Sequence, residues 1–246
     1  MHAFTSSRAG GVSHTPFDDG SGSGNGGLNL GTHVGDDLPH VIENRARLRA
    51  ILPSTLTWLT QVHGSTVVRL NGGYLFDIDS NAKELVADAS FTTDAGVVCA
   101  VMTADCLPIL LADRAGSAVG AAHAGWRGLA GGVIQATVAA MRRAGAGELT
   151  AWLGPAIGPT AFEVGGEVRD AFVTPMRQAA AAFRTISGKD GKFMADIYLL
   201  SRMILASQGI EEVSGGDRCT YRESDRFFSY RRDGITGRMA SVIWID

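Results

Sequence analysis

The sequence predicts an α+β fold of layered α/β type, with a mixed, largely antiparallel sheet covered by helices in a single domain spanning residues 1–246. Three observations lead there. Short apolar runs rich in Val, Ile and Leu are interspersed with longer segments of helical period. The runs at 97–103, 107–112 and 117–122 follow one another too closely for helical crossovers, so those pairs are expected to be antiparallel. No linker or internal repeat divides the chain, and 246 residues suit one large α/β unit.

Taken in order, strands are expected near 57–63, 66–70, 87–93, 97–103, 107–112, 117–122, 149–153 and 241–245. Val97 to Met102 is almost wholly apolar and β-branched, as a buried strand would be. Ser117 to Ala122 is a strand of small residues. Helices are expected at 41–52, 128–144, 166–182 and 196–208. In the second of these, Val133, Ile134, Val138 and Met141 share one side, and Gly145 and Gly147 stop it. The segment Gly20 to Gly27 contains a formal GxGxxG at Gly22, Gly24 and Gly27. Phe17-Asp-Asp precedes it instead of a strand and Leu28-Asn-Leu-Gly follows instead of a helix. It therefore reads as a mobile surface loop rather than a nucleotide cradle.

Composition narrows the functional classes. A net charge of −3 argues against a nucleic-acid surface. No apolar run is long enough to span a membrane, and the amino terminus lacks the pattern of a secretory signal. Three scattered cysteines, Cys99, Cys106 and Cys219, do not make a disulfide framework. A soluble, cytoplasmic protein with reduced thiols is the expectation.

The chemistry concentrates in Thr103-Ala-Asp-Cys-Leu-Pro108, His123-Ala-Gly-Trp-Arg-Gly128 and Leu59-Thr-Gln-Val-His-Gly64. Each places a donor at the end of an apolar run. His63, Cys106 and His123 together supply three ligands for a tetrahedral ion and leave a fourth position open, the arrangement of a catalytic zinc. Their separations of 43 and 17 residues exclude a finger or ribbon. Copper could occupy the same donors. A metal-free Cys–His hydrolase, with Cys106 as nucleophile, is the other reading. Asp105 and Asp88 are carboxylate candidates for a general base or an imidazole-orienting partner, with turn chemistry as the bland alternative. Arg45 and Arg127 are either anion clamps or solvated cations. The six arginines between Arg218 and Arg238 could receive phosphate or form a salt-bridged surface with Glu223, Asp225 and Asp233. No Gly-x-Ser-x-Gly, His-Glu-x-x-His or nucleobase-deaminase signature occurs. Six histidines without a His-x-His pair make a multicopper centre hard to assemble.

These motifs, read in order, resemble the YfiH/laccase-domain proteins, a family also called multicopper polyphenol oxidases or peptidoglycan editing factors and described as purine nucleoside phosphorylases. The resemblance runs from Gly10-Gly-Val-Ser13 and Leu28-Asn-Leu-Gly31 through Gln61-Val-His-Gly64, Ala87-Asp-Ala89 and the Cys106 and His123 motifs. It continues through Trp152-Leu-Gly-Pro-Ala-Ile-Gly-Pro159, Phe162-Glu-Val-Gly165 and Cys219-Thr-Tyr221 to Phe227-Phe-Ser-Tyr-Arg-Arg-Asp-Gly234. The Gly/Ser-rich insertion around 20–27 is the one departure.

The resemblance implies a layered α/β fold with zinc on His63, Cys106 and His123. It also implies phosphorolysis of adenosine, inosine and methylthioadenosine, with some deamination of adenosine. The implied partners are a purine nucleoside and phosphate. A mechanism consistent with that has Arg45 or Arg127 holding phosphate and an acidic neighbour, for which Asp105 is a candidate, supplying a proton to the leaving purine. The resemblance also keeps open an amidase-like activity, a cell-wall editing role and the older claim of copper-dependent polyphenol oxidation.

Overall fold

The computed structural model describes residues 1–72 and 85–246. Its centre is a six-stranded mixed sheet. The strands are β3 (Val67–Arg69), β4 (Ala89–Thr92), β6 (Leu107–Asp113), β7 (Val119–Ala124), β8 (Leu149–Leu153) and β12 (Val213–Gly215), ordered β12-β8-β6-β7-β4-β3. The outer pairs β12/β8 and β3/β4 are parallel, while the inner pairs are antiparallel. A second, antiparallel sheet joins β1 (His2–Thr5), β13 (Met239–Trp244) and β5 (Val98–Thr103) in the order β1-β13-β5.

Side-chain alternation along β5 explains how these sheets stack. Val98, Ala100 and Met102 point into one apolar cluster with Leu48 and Leu52, on and just beyond helix α1 (Leu38–Arg49). Cys99 and Val101 point the other way, into a cluster with Ile243 of β13, Leu110 of β6 and Val119 and Ala121 of β7. The far face of the large sheet, carrying Ile109, Leu111 and Ala122, is covered by Ile134, Val138 and Met141 of α3 (Val133–Arg143). Leu200, Ile204 and Leu205 of α5 (Ile197–Ser207) and Val168 and Phe172 of α4 (Gly166–Val173) extend that layer. The result is a four-layer stack, helix on sheet on sheet on helix, with both sheets buried on both faces. The uninterrupted apolar strands of the sequence are the signature of that double burial.

Three small strands complete the fold: β9 (Glu163–Gly165), β10 (Phe183–Thr185) and β11 (Lys192–Ala195), in the antiparallel order β10-β11-β9. The strand β2 (Ala9–Ser13) packs by α1, and short helices α2 (Trp126–Ala130) and α6 (Tyr230–Asp233) flank the site described below.

Several expected elements are corrected. The runs 97–103 and 107–112 do not pair with each other: β5 belongs to the small sheet and β6 to the large one. Ala104-Asp105-Cys106 is a step between layers rather than a hairpin. The antiparallel pairing expected of 107–112 with 117–122 is present as β6/β7. The 57–63 run forms a single bridge, Thr60 to Val86. There the Gln61 side chain replaces a strand, donating to Met102 O at 2.8 Å and accepting from Met102 N at 2.7 Å. The 128–144 helix is two helices, because Gly132 takes a left-handed φ of 91° between α2 and α3. The 166–182 helix ends at Val173 ahead of Pro175 and resumes as a 3₁₀ turn over Arg177–Ala182. The Gly/Ser segment is an exposed loop over residues 20–25. Its last glycine lies where a Cβ would meet Phe17 O at 1.8 Å, so glycine there serves chain packing.

Candidate metal centre and its cavity

Strand register brings the donors together. In the β6/β7 pair Leu107 faces Ala124 and Pro108 faces His123. Cys106, one residue before β6, therefore meets Gly125, one residue after β7. A Cβ on Gly125 would lie 2.9 Å from both Cys106 Sγ and His63 Cδ2, so the close approach of thiol and imidazole requires glycine. In the β4/β7 pair Ala89 faces Ala122, which sets Asp88 beside His123. The His123 backbone N–H donates to Asp88 O at 2.7 Å, and its ring Nδ1 donates to Asp88 Oδ1 at 2.8 Å.

The same carboxylate holds His63. Backbone N–H groups of Val62, His63 and Gly64 donate to Asp88 at 3.2, 2.9 and 2.7 Å. His63 itself sits in the left-handed region at φ 60°, a conformation this clamp sustains. Asp88 is wholly buried, so four donors converge on one carboxylate away from water. Burial alone would raise its pKa. The bonds from His123 and Gly64 outweigh that and hold it below the ordinary carboxylate value.

Asp105 has a different position. It turns the step between sheets with a φ of 89°, accepting from Thr220 Oγ1 and from Arg231 N, both at 2.6 Å. Both carboxylate oxygens are thus engaged away from the donor cluster, although the residue lines the cavity.

His63, Cys106 and His123 are, among the described residues, the one group of three or more His, Cys, Asp or Glu side chains that could hold a metal. Their ligand atoms lie within 4.8 Å of one another, and Cys106 Sγ is 3.8 Å from His63 Nε2. Donors around a tetrahedral zinc sit roughly 3.3–3.6 Å apart, so small side-chain movements close the set. With Nδ1 of His123 committed to Asp88, Nε2 is left for the ion. The donor chemistry fits a metal with one open position.

The charges agree. Burial pushes the Cys106 thiol up, but hydrogen bonding and charge from His123, then His63, overcome it and hold the thiol at about 6. Burial pushes His123 down, but Asp88 and Cys106 lift it to about 9. At neutral pH the metal-free pair is thiolate and imidazolium, a state in which a cation replaces the imidazolium proton.

This cluster opens into a cavity of about 1080 Å³ that is rich in arginine. Arg45 and Arg127, singled out from sequence, both line it, as do Arg231 and Arg238. The Arg45 guanidinium lies 4.4 Å over Trp58, and burial lowers its pKa to about 10. Arg127 is exposed, 4.4 Å over the Trp126 ring. The carboxyl-terminal arginines divide between their two readings. Arg218 and Arg226 pair with Glu223 at 3.4 and 3.6 Å, and Arg232 pairs with Asp233 at 2.8 Å. Arg231 and Arg238 instead reach the cavity. Sequence reasoning did not single out His33 or Trp58, which lie far from the donor motifs and join the site only through the fold.

The family model for multi-copper polyphenol oxidoreductase laccase matches residues 2–246. The chain belongs to this laccase/YfiH family. It is 54% identical over 245 residues to purine nucleoside phosphorylase YfiH of Escherichia coli, covering 99% of this chain and 93% of that protein. It is 51% identical over 245 residues to purine nucleoside phosphorylase PA4543 of Pseudomonas aeruginosa, covering 100% of this chain and 93% of the relative. Among solved structures, protein NMB0706 of Neisseria meningitidis superposes with a TM-score of 0.84 at 46% identity, covering both chains fully. The hypothetical protein YfiH of Bacillus licheniformis gives 0.89 at 31% identity, covering 99% of this chain and 92% of that one. No helix among the described residues of this family member is long and apolar enough to cross a membrane.

Proposed function

We propose that this chain is a zinc-dependent purine nucleoside phosphorylase that cleaves adenosine, inosine and methylthioadenosine, with deamination of adenosine as a second activity. The observation that carries the reading is the open His63–Cys106–His123 cluster facing a cavity lined by arginines and aromatic rings. Two relatives over half identical carry the phosphorylase name across nearly their full length.

The cavity can contain a nucleoside and phosphate together. Arginine guanidinium groups suit phosphate oxygens, and Trp58, Trp126, Phe162 and Tyr230 offer flat apolar surface to a purine. Thr103 Oγ1, in a residue of the cavity lining, is buried without a hydrogen-bond partner among the described residues, and a substrate hydroxyl would satisfy it. In phosphorolysis a phosphate oxygen bonds to the anomeric carbon as the glycosidic C–N bond breaks. The electron pair leaves with the purine, which takes up a proton; dihydrogen phosphate balances that proton. Asp105, bound to Thr220 and Arg231, steadies the turn that presents Cys106. His123 and His63 act as ligands oriented by Asp88. When bound, zinc supplies Lewis-acid polarisation at the position its three protein ligands leave open.

A single three-donor cluster suits one zinc better than the several coppers of a polyphenol oxidase. The thiolate of Cys106 favours one second reading, a Cys–His hydrolase. Iodoacetamide separates them: a zinc ligand is protected in the loaded protein, whereas a free nucleophile is alkylated. The principal test is ribose 1-phosphate release from inosine and phosphate by wild type, Cys106→Ala and His123→Ala. The expected result is phosphate-dependent product from wild type alone. Equal turnover by all three would remove the cluster from the mechanism, and absence of any phosphate-dependent turnover would leave the cell-wall editing role in its place.

A further inference from the structure

The Leu28-Asn-Leu-Gly31 motif lies far from the metal donors in sequence, yet it seats two of the cavity's arginines. Leu30 is fully buried, and its peptide groups bind one arginine each. Its carbonyl accepts from Arg45 Nε at 2.9 Å, and its N–H donates to the Arg238 carbonyl at 3.1 Å. Asn29 Oδ1 accepts the Arg238 backbone N–H at 2.9 Å. At Gly31 a Cβ would stand 2.8 Å from Arg238 Cγ, so the missing side chain lets Arg238 cross the segment. Two residues on, His33 lines the same cavity, and after burial the charges of Arg238 and Arg45 are what disfavour its protonation. His33 therefore lies near both arginines.

Neither guanidinium is fully compensated: Asp105 and Cys106 favour the charge of Arg238 at longer range, and no charged group offsets the burial of Arg45. Arg45 spends Nε on Leu30, and Arg238 spends Nη1 on the carbonyls of Thr236 and Gly237 at 2.9 and 3.1 Å. Among the described residues no carboxylate forms an ion pair with either. Arg8, also buried, shows the usual solution, pairing with Asp18 at 3.1 Å. Two half-buried cations with free N–H edges lining one cavity are costly without an anion to receive them. Arg127, exposed and stacked on its neighbour Trp126, has no such seat.

We propose that Arg45, Arg238 and His33, seated by Asn29–Gly31, form the subsite for the attacking phosphate beside the metal donors. The assignment rests on the phosphorylase reading and specifies its co-substrate site. Planar forks from two arginines grip a tetrahedral oxyanion on two edges, and His33 supplies a third contact.

The test uses zinc-loaded full-length protein and two readouts. Inorganic phosphate binding is followed by ³¹P line broadening, and steady-state kinetics give KM for phosphate and for inosine separately. Arg45→Gln, Arg238→Gln and His33→Ala are compared with Arg47→Gln, which removes the same charge from α1 at an exposed position paired with Glu43. Zinc content and thermal unfolding are checked for each, and Arg45→Lys covers the case in which Arg45→Gln fails to fold. The expected result is phosphate affinity weakened about tenfold or more in both arginine variants, less in His33→Ala, and unchanged in Arg47→Gln. Inosine KM and zinc content stay near wild type. Phosphate binding lost in the variants, without ribose 1-phosphate from wild type, would keep the subsite and sink the phosphorylase reading. Ribose 1-phosphate with normal phosphate KM in both arginine variants would sink the subsite alone. Binding of inosine 5′-monophosphate but not free phosphate would also overturn it.

Discussion

Replacing Asp88 with Asn changes one atom and reaches both candidate imidazole ligands. Oδ1 accepts from His63 N and His123 Nδ1, while Oδ2 accepts from Val62 N and Gly64 N. An amide keeps one acceptor and turns the other into an NH₂ group facing two donors. Each buried donor left unpaired costs about 1–3 kcal/mol, so the pair costs about 2–6 kcal/mol of stability. If the amide oxygen faces Val62 and Gly64, His123 loses the partner that fixes its tautomer. If it faces His123, the loop that holds His63 at φ 60° is released. Either way one ligand loses its orientation, for which about a 10- to 100-fold loss of metal affinity is expected. Urea unfolding of the metal-free protein measures the first quantity, and zinc competition against a chromophoric chelator measures the second. The sign with pH is also set. The depressed carboxylate stabilises the fold above its unfolded value of 3.8, and that advantage over Asp88→Asn vanishes as pH falls through the lower folded value. Unchanged zinc affinity in a folded Asp88→Asn protein would refute the claim that this carboxylate organises the site.

Four further outcomes are expected. Gly125→Ala, whose methyl would lie 2.9 Å from Cys106 Sγ, should lose zinc binding while circular dichroism shows the fold retained; full zinc occupancy would contradict the packing argument. In metal-free protein the Cys106 thiolate should appear by ultraviolet absorbance with a midpoint of about 6, and His123→Ala should move that midpoint up. For stability, the lowered thiol contributes fully above 9.0 and loses its contribution as pH falls through about 6, while raised His123 contributes below 6.5 and loses it through about 9. These slopes oppose each other, so metal-free stability in urea unfolding should stay nearly level between about 6.5 and about 9, and a steep slope there would count against the pair. Leu111→Ala, emptying a fully buried position between the large sheet and α3, should cost about 2–5 kcal/mol in urea unfolding with zinc affinity intact.

The legible parts of this protein were those governed by local composition. The runs leading to Cys106 and His123 read as buried strands because their residues are apolar throughout, and they are strands. Gln61 was harder. Its segment has strand-like apolarity, but its pairing with Met102 goes through a side-chain amide, which periodicity cannot register. The helix breaks at Gly131-Gly132 and Pro175 carried a visible signal, outweighed in the reading by the apolar period on either side. Asp88 entered as one of two carboxylates. Only the β4/β7 register showed that it, and not Asp105, orients the imidazoles.

Residue chemistry, written in the chain itself, was enough to bring forward one thiol and two imidazoles as a candidate metal set, because few side chains bind a soft or borderline cation and these three each end an apolar run. Distances across layers were not written there. That β5 and β6 lie in different sheets, that one buried carboxylate spans both histidine segments, and that Leu30 holds both the Arg45 side chain and the Arg238 backbone all depend on contacts between residues remote in the chain. Such contacts follow from how four layers pack together, and packing is a property of the whole molecule that no local window contains.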